Sequence, residues 1–181
     1  MAKLVEKTYG QALFDLSVEQ NCVDSYAQQV QVIMQALDEN PDLLAFLNHP
    51  QIDKEDKINV MENIFAGRVD DDITGFLVIV VKAGRQGAIG GILEYFMNEV
   101  KAYKHIGVAD VTSAIELSDA QKAAVKKRLL DTTDEVDYEM HYHVDPTLLG
   151  GMVIRIGDKV VDSSIKTKLE LMSRDLLKIQ I

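Results

Sequence analysis

The sequence has little cysteine, little basic charge and no long apolar run. Cys22 is the only cysteine, so no disulfide can form within the chain, which favours a reducing compartment. The longest apolar run, residues 76–81, is far shorter than the roughly 20 residues that a membrane-spanning helix needs. We therefore predict no insertion into a membrane, and attachment to one only through a partner.

Basic residues are scarce: 19 Lys and Arg stand against 29 Asp and Glu, a formal net charge of −10. Residues 1–104 carry 9 basic and 16 acidic side chains, whereas residues 105–181 carry 10 and 13. An acidic surface repels phosphate backbones and anionic lipid, which argues against nucleic-acid binding and an electrostatic membrane anchor. A protein partner with a basic surface suits this composition better.

The N-terminal segment MAKLVEKTYGQALF has scattered charges and no continuous apolar core. It therefore matches neither a secretory signal nor an Arg-rich transit peptide. This favours a bacterial cytoplasm, although a processed organellar chain would have the same features.

Apolar residues recur at helical spacing through the first hundred residues, which predicts a bundle of successive short helices. Pro41, Pro50 and Gly67 separate the segments, and Asp70 to Asp72 crowd the start of a helix, where the dipole favours negative charge. A last long helix is predicted from about Gln86 to Tyr103.

After His105 the period of the apolar residues changes from nearly four to two, which indicates strands. A strand near residues 108–114, a helix from Ser118 to Leu130, strands at residues 136–144, 152–156 and 159–161, and a long final helix follow. The fold class is therefore α+β: an all-α helical bundle over residues 1–104, then a small α/β domain with a mixed sheet over residues 105–181.

The stretch DPTLLGGMVIRIGDKVVDSSI at residues 145–165 contains glycines and aspartates that resemble a catalytic loop, but strand sequence surrounds them. A hairpin explains them better. Gly150 and Gly151 let the chain enter the hairpin without Cβ clashes, and Gly157 supplies positive φ in a two-residue turn with Asp158. Asp162 or Ser163 then caps the last helix.

Three features could indicate chemistry, and each has a simpler explanation. The Gly84 to Gly91 segment follows an apolar run, but its glycines lack the spacing of a dinucleotide-binding turn. His141 and His143 alternate on one strand face, where a metal would need further ligands. Cys22 lacks a neighbouring positive charge and is better explained as a small hydrophobe. We predict no catalytic, cofactor-binding or metal-binding residue.

Several apolar residues lie off the main stripe of their helices, so more than one face of each helix is apolar. Either the bundle buries several sides of each helix, or the surplus forms grooves for partner helices. The second interpretation makes these residues partner-binding: Phe14, Val18, Val78, Val81, Leu171 and Leu177.

The C-terminal stretch resembles the signature of the δ subunit of F-type ATP synthases, the family of the mitochondrial oligomycin-sensitivity-conferring protein. The matching residues are Asp145-Pro146, Leu148, Gly150-Gly151, Val153, Ile154, Ile156-Gly157-Asp158 and Asp162-Ser163. Tyr9-Gly-Gln-Ala-Leu-Phe resembles the family's N-terminal YAxALF, with Gly10 in place of the usual alanine. Val111-Thr-Ser-Ala with Leu117-Ser118 resembles VxSAxxLS, so the resemblance spans the chain in order.

The resemblance implies a structural role without cofactors. The N-terminal domain would hold the N-terminal helices of the α subunits of the catalytic head, and the C-terminal domain would hold the C-terminal ends of the b subunits of the peripheral stalk. The chain would lie at the cytoplasmic face of a bacterial membrane, attached through the ATP synthase. Two alternatives stay open: a small nucleotide-binding enzyme using Gly84 to Gly91, and an acidic adaptor for another helical partner.

Overall fold

A computed structural model describes the backbone of residues 2–179 and the side chains of residues 3–174. The chain divides into two compact units, Met1–Val100 and Lys101–Ile181, which are described separately below. The first unit is helical. Its helices are α1 (Ala2–Glu19), α2 (Val23–Glu39), α3 (Pro41–Asn48), α4 (Lys54–Phe65), α5 (Asp71–Lys82) and α6 (Ile89–Tyr103), with a 3-10 turn at Gln86–Ala88 before α6.

The core of the helical unit is built from residues at helical spacing on every one of its helices. On α2 the buried positions Tyr26, Val30 and Ile33 follow the i, i+4, i+7 pattern of a single stripe. Eighteen apolar residues form this core among the described side chains. Its largest fully buried members are Tyr26, Phe96, Leu13, Ile33, Leu47, Met61, Ile73, Leu77, Ile89, Ile92, Leu93 and Val30.

Helices α1 and α6 approach closely where Gly10 lies against α6. A Cβ at Gly10 would lie 2.6 Å from Cδ1 of Tyr95 and 3.0 Å from the carbonyl oxygen of Ile92. The first contact could be relieved by movement of the ring, but the second is with backbone. The glycine therefore sets how closely the two helices pack.

A hydrogen-bonded cluster joins the α1–α2 turn and α2 to the beginning of α5. The hydroxyl of Tyr26 lies 2.7 Å from Oε1 of Gln20 and 3.1 Å from Oδ2 of Asp72, and Nε2 of Gln20 donates to the same carboxylate oxygen at 2.9 Å. Gln29 makes a second link, donating to the Asp70 carboxylate at 2.7 Å and accepting from the Asp70 backbone N–H at 2.6 Å. Burial and the neighbouring Asp72 carboxylate raise the pKa of Tyr26 to about 12.

The second unit is a four-stranded mixed sheet with two helices, so the predicted α+β class is confirmed. The strand order is β2-β1-β3-β4; β1 pairs in parallel with β2 and antiparallel with β3, and β3 forms an antiparallel hairpin with β4. Its elements are β1 (Ile106–Ser113), α7 (Asp119–Thr132), β2 (Asp137–Val144), a 3-10 turn (Pro146–Leu148), β3 (Met152–Ile156), β4 (Lys159–Asp162) and α8 (Ile165–Ile179).

The two faces of the sheet differ. Helix α7, which begins with a capping box between Ser118 and Gln121, packs Leu129 against Ala109 and Tyr138 on one face. The register places alternate residues on the other face, which is polar; there Lys101 pairs with Glu139 at 2.7 Å. A sheet with one covered face favours alternation of apolar and polar residues, which is clearest in β2 (DYEMHYHV).

Candidate partner-binding surfaces

The two surplus residues of α1, Phe14 and Val18, are half-buried. Phe14 packs against the helical core and so is not a fully free surface side chain. Val18 lies one turn further along the same side of the helix, since positions four apart overlap on a helix surface. Both retain some accessible surface, and their contact with a partner stays a prediction.

Val78 and Val81 are buried, with 6% and 1% of their surface exposed. The expectation that they provide surplus apolar surface is therefore wrong. Helix α5 packs closely along α4, and its buried residues span a wide arc from Ile73 and Val80 through Leu77 to Val81 and Val78. A helix covered on several sides buries more than the single stripe from which their exposure was inferred.

An apolar surface does remain where α1 and α5 lie side by side, and we name it the α1–α5 surface. Tyr9 and Phe76 meet edge to face, with ring centroids 6.4 Å apart, and both are only partly buried. Leu16, two turns from Tyr9 on the same side of α1, is also partly buried. Ile79, next to Phe76 on the outer side of α5, is 57% exposed. The α1–α5 surface consists of these four residues, of which Tyr9 and Phe76 are in direct contact.

The final helix α8 exposes an apolar stripe. Ile165, Leu169 and Met172, at positions i, i+4 and i+7, are 46%, 53% and 63% exposed. Leu171, predicted to bind a partner, is also half-exposed. The side chain of Leu177, the other predicted contact on this helix, lies outside the described residues. The described part of α8 therefore carries uncovered apolar surface on its stripe and beside it.

The glycines of the hairpin occupy backbone positions that a side chain would disturb. Gly157 has φ of 54° and forms the turn between β3 and β4 with Asp158. Gly151 has φ of 78°, and a Cβ there would lie 2.5 Å from the carbonyl oxygen of Ser163. The carbonyl of Gly150 accepts the backbone N–H of Ile165 at 2.9 Å, which extends the hairpin pairing to the start of α8.

The cap of α8 is Ser164, one residue beyond the two that were expected. Its Oγ accepts the backbone N–H of Thr167 at 3.2 Å. Asp162 instead supports the cap: it accepts the Ser164 N–H at 2.8 Å and the Thr167 hydroxyl at 2.7 Å, which lowers the pKa of its carboxyl group. The Ser163 hydroxyl donates to the carbonyl of Met152 and holds the hairpin.

The candidate metal ligands His141 and His143 and the candidate nucleophile Cys22 do not form a common site among the described side chains. Nε2 of His141 lies 3.3 Å from Glu139, and Nε2 of His143 lies 3.8 Å from Asp110. Within the described side chains, no three His, Cys, Asp or Glu residues gather as metal ligands. The thiol of Cys22 is half-buried and donates to the carbonyl of Gln20.

The apolar run before Gly84 is part of α5, so the glycine segment joins two helices. A dinucleotide-binding turn instead follows a strand of a parallel sheet.

The chain matches a family model described as "ATP synthase delta (OSCP) subunit" over residues 5–176. The chain belongs to this family. It is 53% identical to "ATP synthase subunit delta" of Lachnoclostridium phytofermentans, with all of both chains covered. It is 32% identical to the protein of the same name from Acetivibrio thermocellus, over 97% of this chain and 99% of that one.

The fold agrees with this membership of the delta (OSCP) family. A chain from the cryo-EM structure of the Toxoplasma gondii mitochondrial ATP synthase hexamer superposes with a TM-score of 0.72 over 95% of this chain and 97% of its own length. At 16% sequence identity this likeness shows the fold alone. Over the helices that the structure describes, none combines the length and apolar character of a membrane span.

Sequence reasoning missed three features that now matter. Ile79 could have been found from its position three residues after Phe76, on the side of α5 that faces away from the buried arc. Leu149, which is 69% exposed and has φ of 61°, gave no signal beyond its place before two glycines. The exposure of α8 could not be read from its sequence, because an amphipathic helix looks the same whether or not its apolar face is covered.

Proposed function

We propose that the chain is a non-catalytic stator subunit of the F-type ATP synthase. Its helical unit binds the N-terminal helices of the α subunits of the catalytic head, and its α/β unit binds the C-terminal ends of the b subunits. In this role it couples rotation to proton transport and ATP synthesis from the cytoplasmic face of a bacterial membrane, without inserting into the bilayer. Family membership over nearly the whole chain is the observation that carries the proposal.

The mechanical demand of this role explains why no reactive site is needed. Rotation of a central stalk would drag the head with it unless a second connection held the head still. Such a connection needs a preformed binding surface on each unit. A preformed surface loses little conformational entropy on binding, and this raises affinity more than additional buried area does. The chain has an uncovered apolar surface on each of its units.

The α1–α5 surface is the best candidate for the head contact. Amphipathic helices bind through their apolar face, and Tyr9, Leu16, Phe76 and Ile79 supply partly or largely exposed apolar side chains for such a contact. The helical unit carries 7 basic and 16 acidic residues over residues 1–100, a net charge of −9. Basic residues beside the apolar face of the incoming helix would therefore be attracted to this unit.

The decisive test is binding of a synthetic peptide of the α-subunit N-terminus to the full chain, measured by isothermal titration. Ile79→Asp should weaken binding at least about tenfold, because it places a charge in the α1–α5 surface without disturbing the core. Val32→Asp is the matched control, since Val32 is an exposed apolar residue on α2. Equal affinity of the two variants would show that the head contact lies elsewhere.

Titration with ATP and ADP separates the proposal from the nucleotide-binding alternative. The stator role predicts no saturable heat from the chain alone. Saturable binding that is lost on changing residues in the Gly84 to Gly91 segment would favour the enzyme instead.

A further inference from the structure

The α/β unit has an uncovered apolar surface that combines the start of α8 with the loop before β3. Its members are Ile115, Leu149, Ile165, Leu169 and Met172, each of them exposed by nearly half or more. We name this set the α8–loop surface. It lies entirely within the second unit, at the end of the sheet where β1 finishes and β3 begins.

A small cavity of about 280 Å³ lies at one end of this surface. Ile115, Leu117, Leu149 and Met152 supply apolar walls, with Gly150 and Gly151 beneath them. The side chain of Ile165 lies against Gly150, so the cavity opens beside the first turn of α8. A partner helix lying along α8 could therefore insert one apolar side chain into the cavity.

Leu149 is the most distinctive member of the surface, because it combines an exposed side chain with a left-handed backbone. Its φ is 61°, a left-handed conformation that is unfavourable for a residue with a Cβ. The loop is held on both sides: Asp145 accepts the backbone N–H and hydroxyl of Thr147, and the carbonyl of Gly150 accepts the N–H of Ile165. An unfavourable backbone that displays an apolar side chain to solvent indicates a binding role.

The described part of α8 carries a net positive charge, opposite in sign to that of the chain as a whole. Lys166 and Lys168 lie on the two sides of the Ile165–Leu169–Met172 stripe, at about 100° per residue around the helix. Over residues 165–174, the part of α8 whose side chains are described, there are 3 basic side chains and 1 acidic side chain, in a chain of net charge −10. A partner helix with carboxylates beside its apolar face would complement this sign.

We propose that the α8–loop surface binds one amphipathic helix whose apolar stripe is flanked by carboxylates, with an apolar side chain of that helix in the cavity beside Leu149. This inference rests on the proposed function, under which the helix is the C-terminal end of a b subunit. It goes further by assigning the surface, the anchoring cavity and the sign of the charges.

The test uses the full chain and a synthetic peptide of about 25 residues from the C-terminus of the b subunit of the same organism, long enough for seven helical turns. Binding is measured by isothermal titration. Leu149→Gly and Leu169→Ser should each weaken binding at least about tenfold. Val160→Ser is the matched control and should bind as the wild type does, because Val160 is about as exposed as Leu169 but lines no part of the cavity and lies on β4, on the sheet face away from Ala109.

Leu149→Gly also separates binding from folding. Glycine adopts φ of 61° without a Cβ penalty, so this variant should melt no lower than the wild type while it loses the peptide. Loss of both stability and binding would overturn the proposal, since it would make Leu149 a structural residue. Normal affinity of Leu149→Gly and Leu169→Ser would also overturn it, and would leave the proposed function intact.

Charge reversal tests the sign of the partner. Lys168→Glu should weaken binding of the natural peptide and strengthen binding of a peptide in which the flanking carboxylates are replaced by lysines. The opposite result would overturn the assignment of charge. A wild-type chain that binds no b-subunit peptide at all would overturn the b-subunit half of the proposed function together with this inference.

Sedimentation of the chain alone should show a monomer. A dimer that Leu149→Gly dissociates would mean that a second copy covers the surface, and would also overturn the inference.

Discussion

The helical unit and the α/β unit differ in how much of their apolar surface is buried. Among the described side chains, eighteen buried apolar residues form the core of the helical unit, whereas the α/β unit buries four, Ala109, Val111, Leu129 and Tyr138. Exposed large apolar residues are instead more numerous in the α/β unit than in the helical unit. The described part of the first unit has Leu4, Val32 and Ile79; that of the second has Tyr103, Ile115, Val136, Val144, Leu149, Val160, Val161, Ile165, Leu169, Leu171 and Met172.

From this difference we expect the helical unit to be more stable than the α/β unit. Burial of apolar surface is the main favourable term in folding, and a unit that leaves much of it exposed gains less. The charges differ in the same way. The helical unit has a net charge of −9, and the second unit, with 12 basic and 13 acidic residues over residues 101–181, has −1. We infer that the two units are suited to partners of different charge.

The largest effect should come from emptying the larger core. Phe96→Ala removes a fully buried ring of α6 and should destabilise the helical unit by about 3–5 kcal/mol. Leu129→Ala in the small core should cost about 2 kcal/mol, at the low end for such a change, because that site is near the surface. Hydrogen exchange of the amides in each unit measures the loss of unfolding free energy caused by each substitution. A larger loss for Leu129→Ala would contradict the comparison.

Native-state hydrogen exchange on the unmodified chain tests the comparison directly. Amides of Val30 and Ile33 in α2 should open with a free energy about 3 kcal/mol higher than those of Ala109 and Val111 in β1, since local stability follows the apolar surface buried around each element. The b-subunit peptide should narrow this gap by protecting the β1 amides. Equal protection of the α2 and β1 amides without peptide would show that the small core stabilises the α/β unit as well as the large core stabilises the helical unit.

The fold was largely predictable because its signals are local. The change of apolar period near residue 105 located the first strand, which begins at Ile106, and the glycine-aspartate pair located the turn between β3 and β4. The strand at residues 152–156 was placed at its observed bounds. Where the prediction failed locally, as for the α8 cap, three candidates of similar chemistry stood in a row, and only the geometry selects Ser164.

The candidate surfaces were less predictable, because exposure depends on which elements pack together. Val78 and Val81 looked like surplus surface when α5 was treated as a helix with one buried stripe, but the bundle covers it on several sides. The apolar pattern of α8 is that of a covered helix, but within the described residues its apolar face is open. Periodicity states which residues share a face and leaves open what covers that face.

A smaller effect is expected in the hairpin of the α/β unit, which relies on backbone geometry more than on core. Gly151→Ala should destabilise this unit by about 2 kcal/mol, since it combines an unfavourable positive φ with a clash against the Ser163 carbonyl. Gly157→Ala, also at positive φ but with open space around it, is the matched control and should cost about 1 kcal/mol. Chemical denaturation followed by a probe in the sheet measures the difference. Equal costs would mean that the Gly151 contact relaxes.

The smallest effect concerns the hydrogen-bonded cluster of the helical unit and depends on pH. Tyr26→Phe should cost about 1 kcal/mol at neutral pH, the net value of a hydrogen bond, and leave the bond from Gln20 to Asp72 in place. The folded protein holds the pKa of Tyr26 at about 12 against 10 for an ordinary tyrosine. Between these values the unfolded chain loses its proton first, so this stabilisation is complete below pH 10 and declines as the pH rises through 12.

The advantage of the wild type over Tyr26→Phe should therefore shrink over that range, and the difference between the two unfolding curves isolates Tyr26 from other groups that titrate at high pH. If the difference in unfolding free energy between the wild type and Tyr26→Phe stayed constant from pH 9 to 12, the pKa of Tyr26 would not be raised to about 12 by burial and by the Asp72 carboxylate. In that case the cluster would be a surface contact, and the helical unit would rely on its apolar core alone.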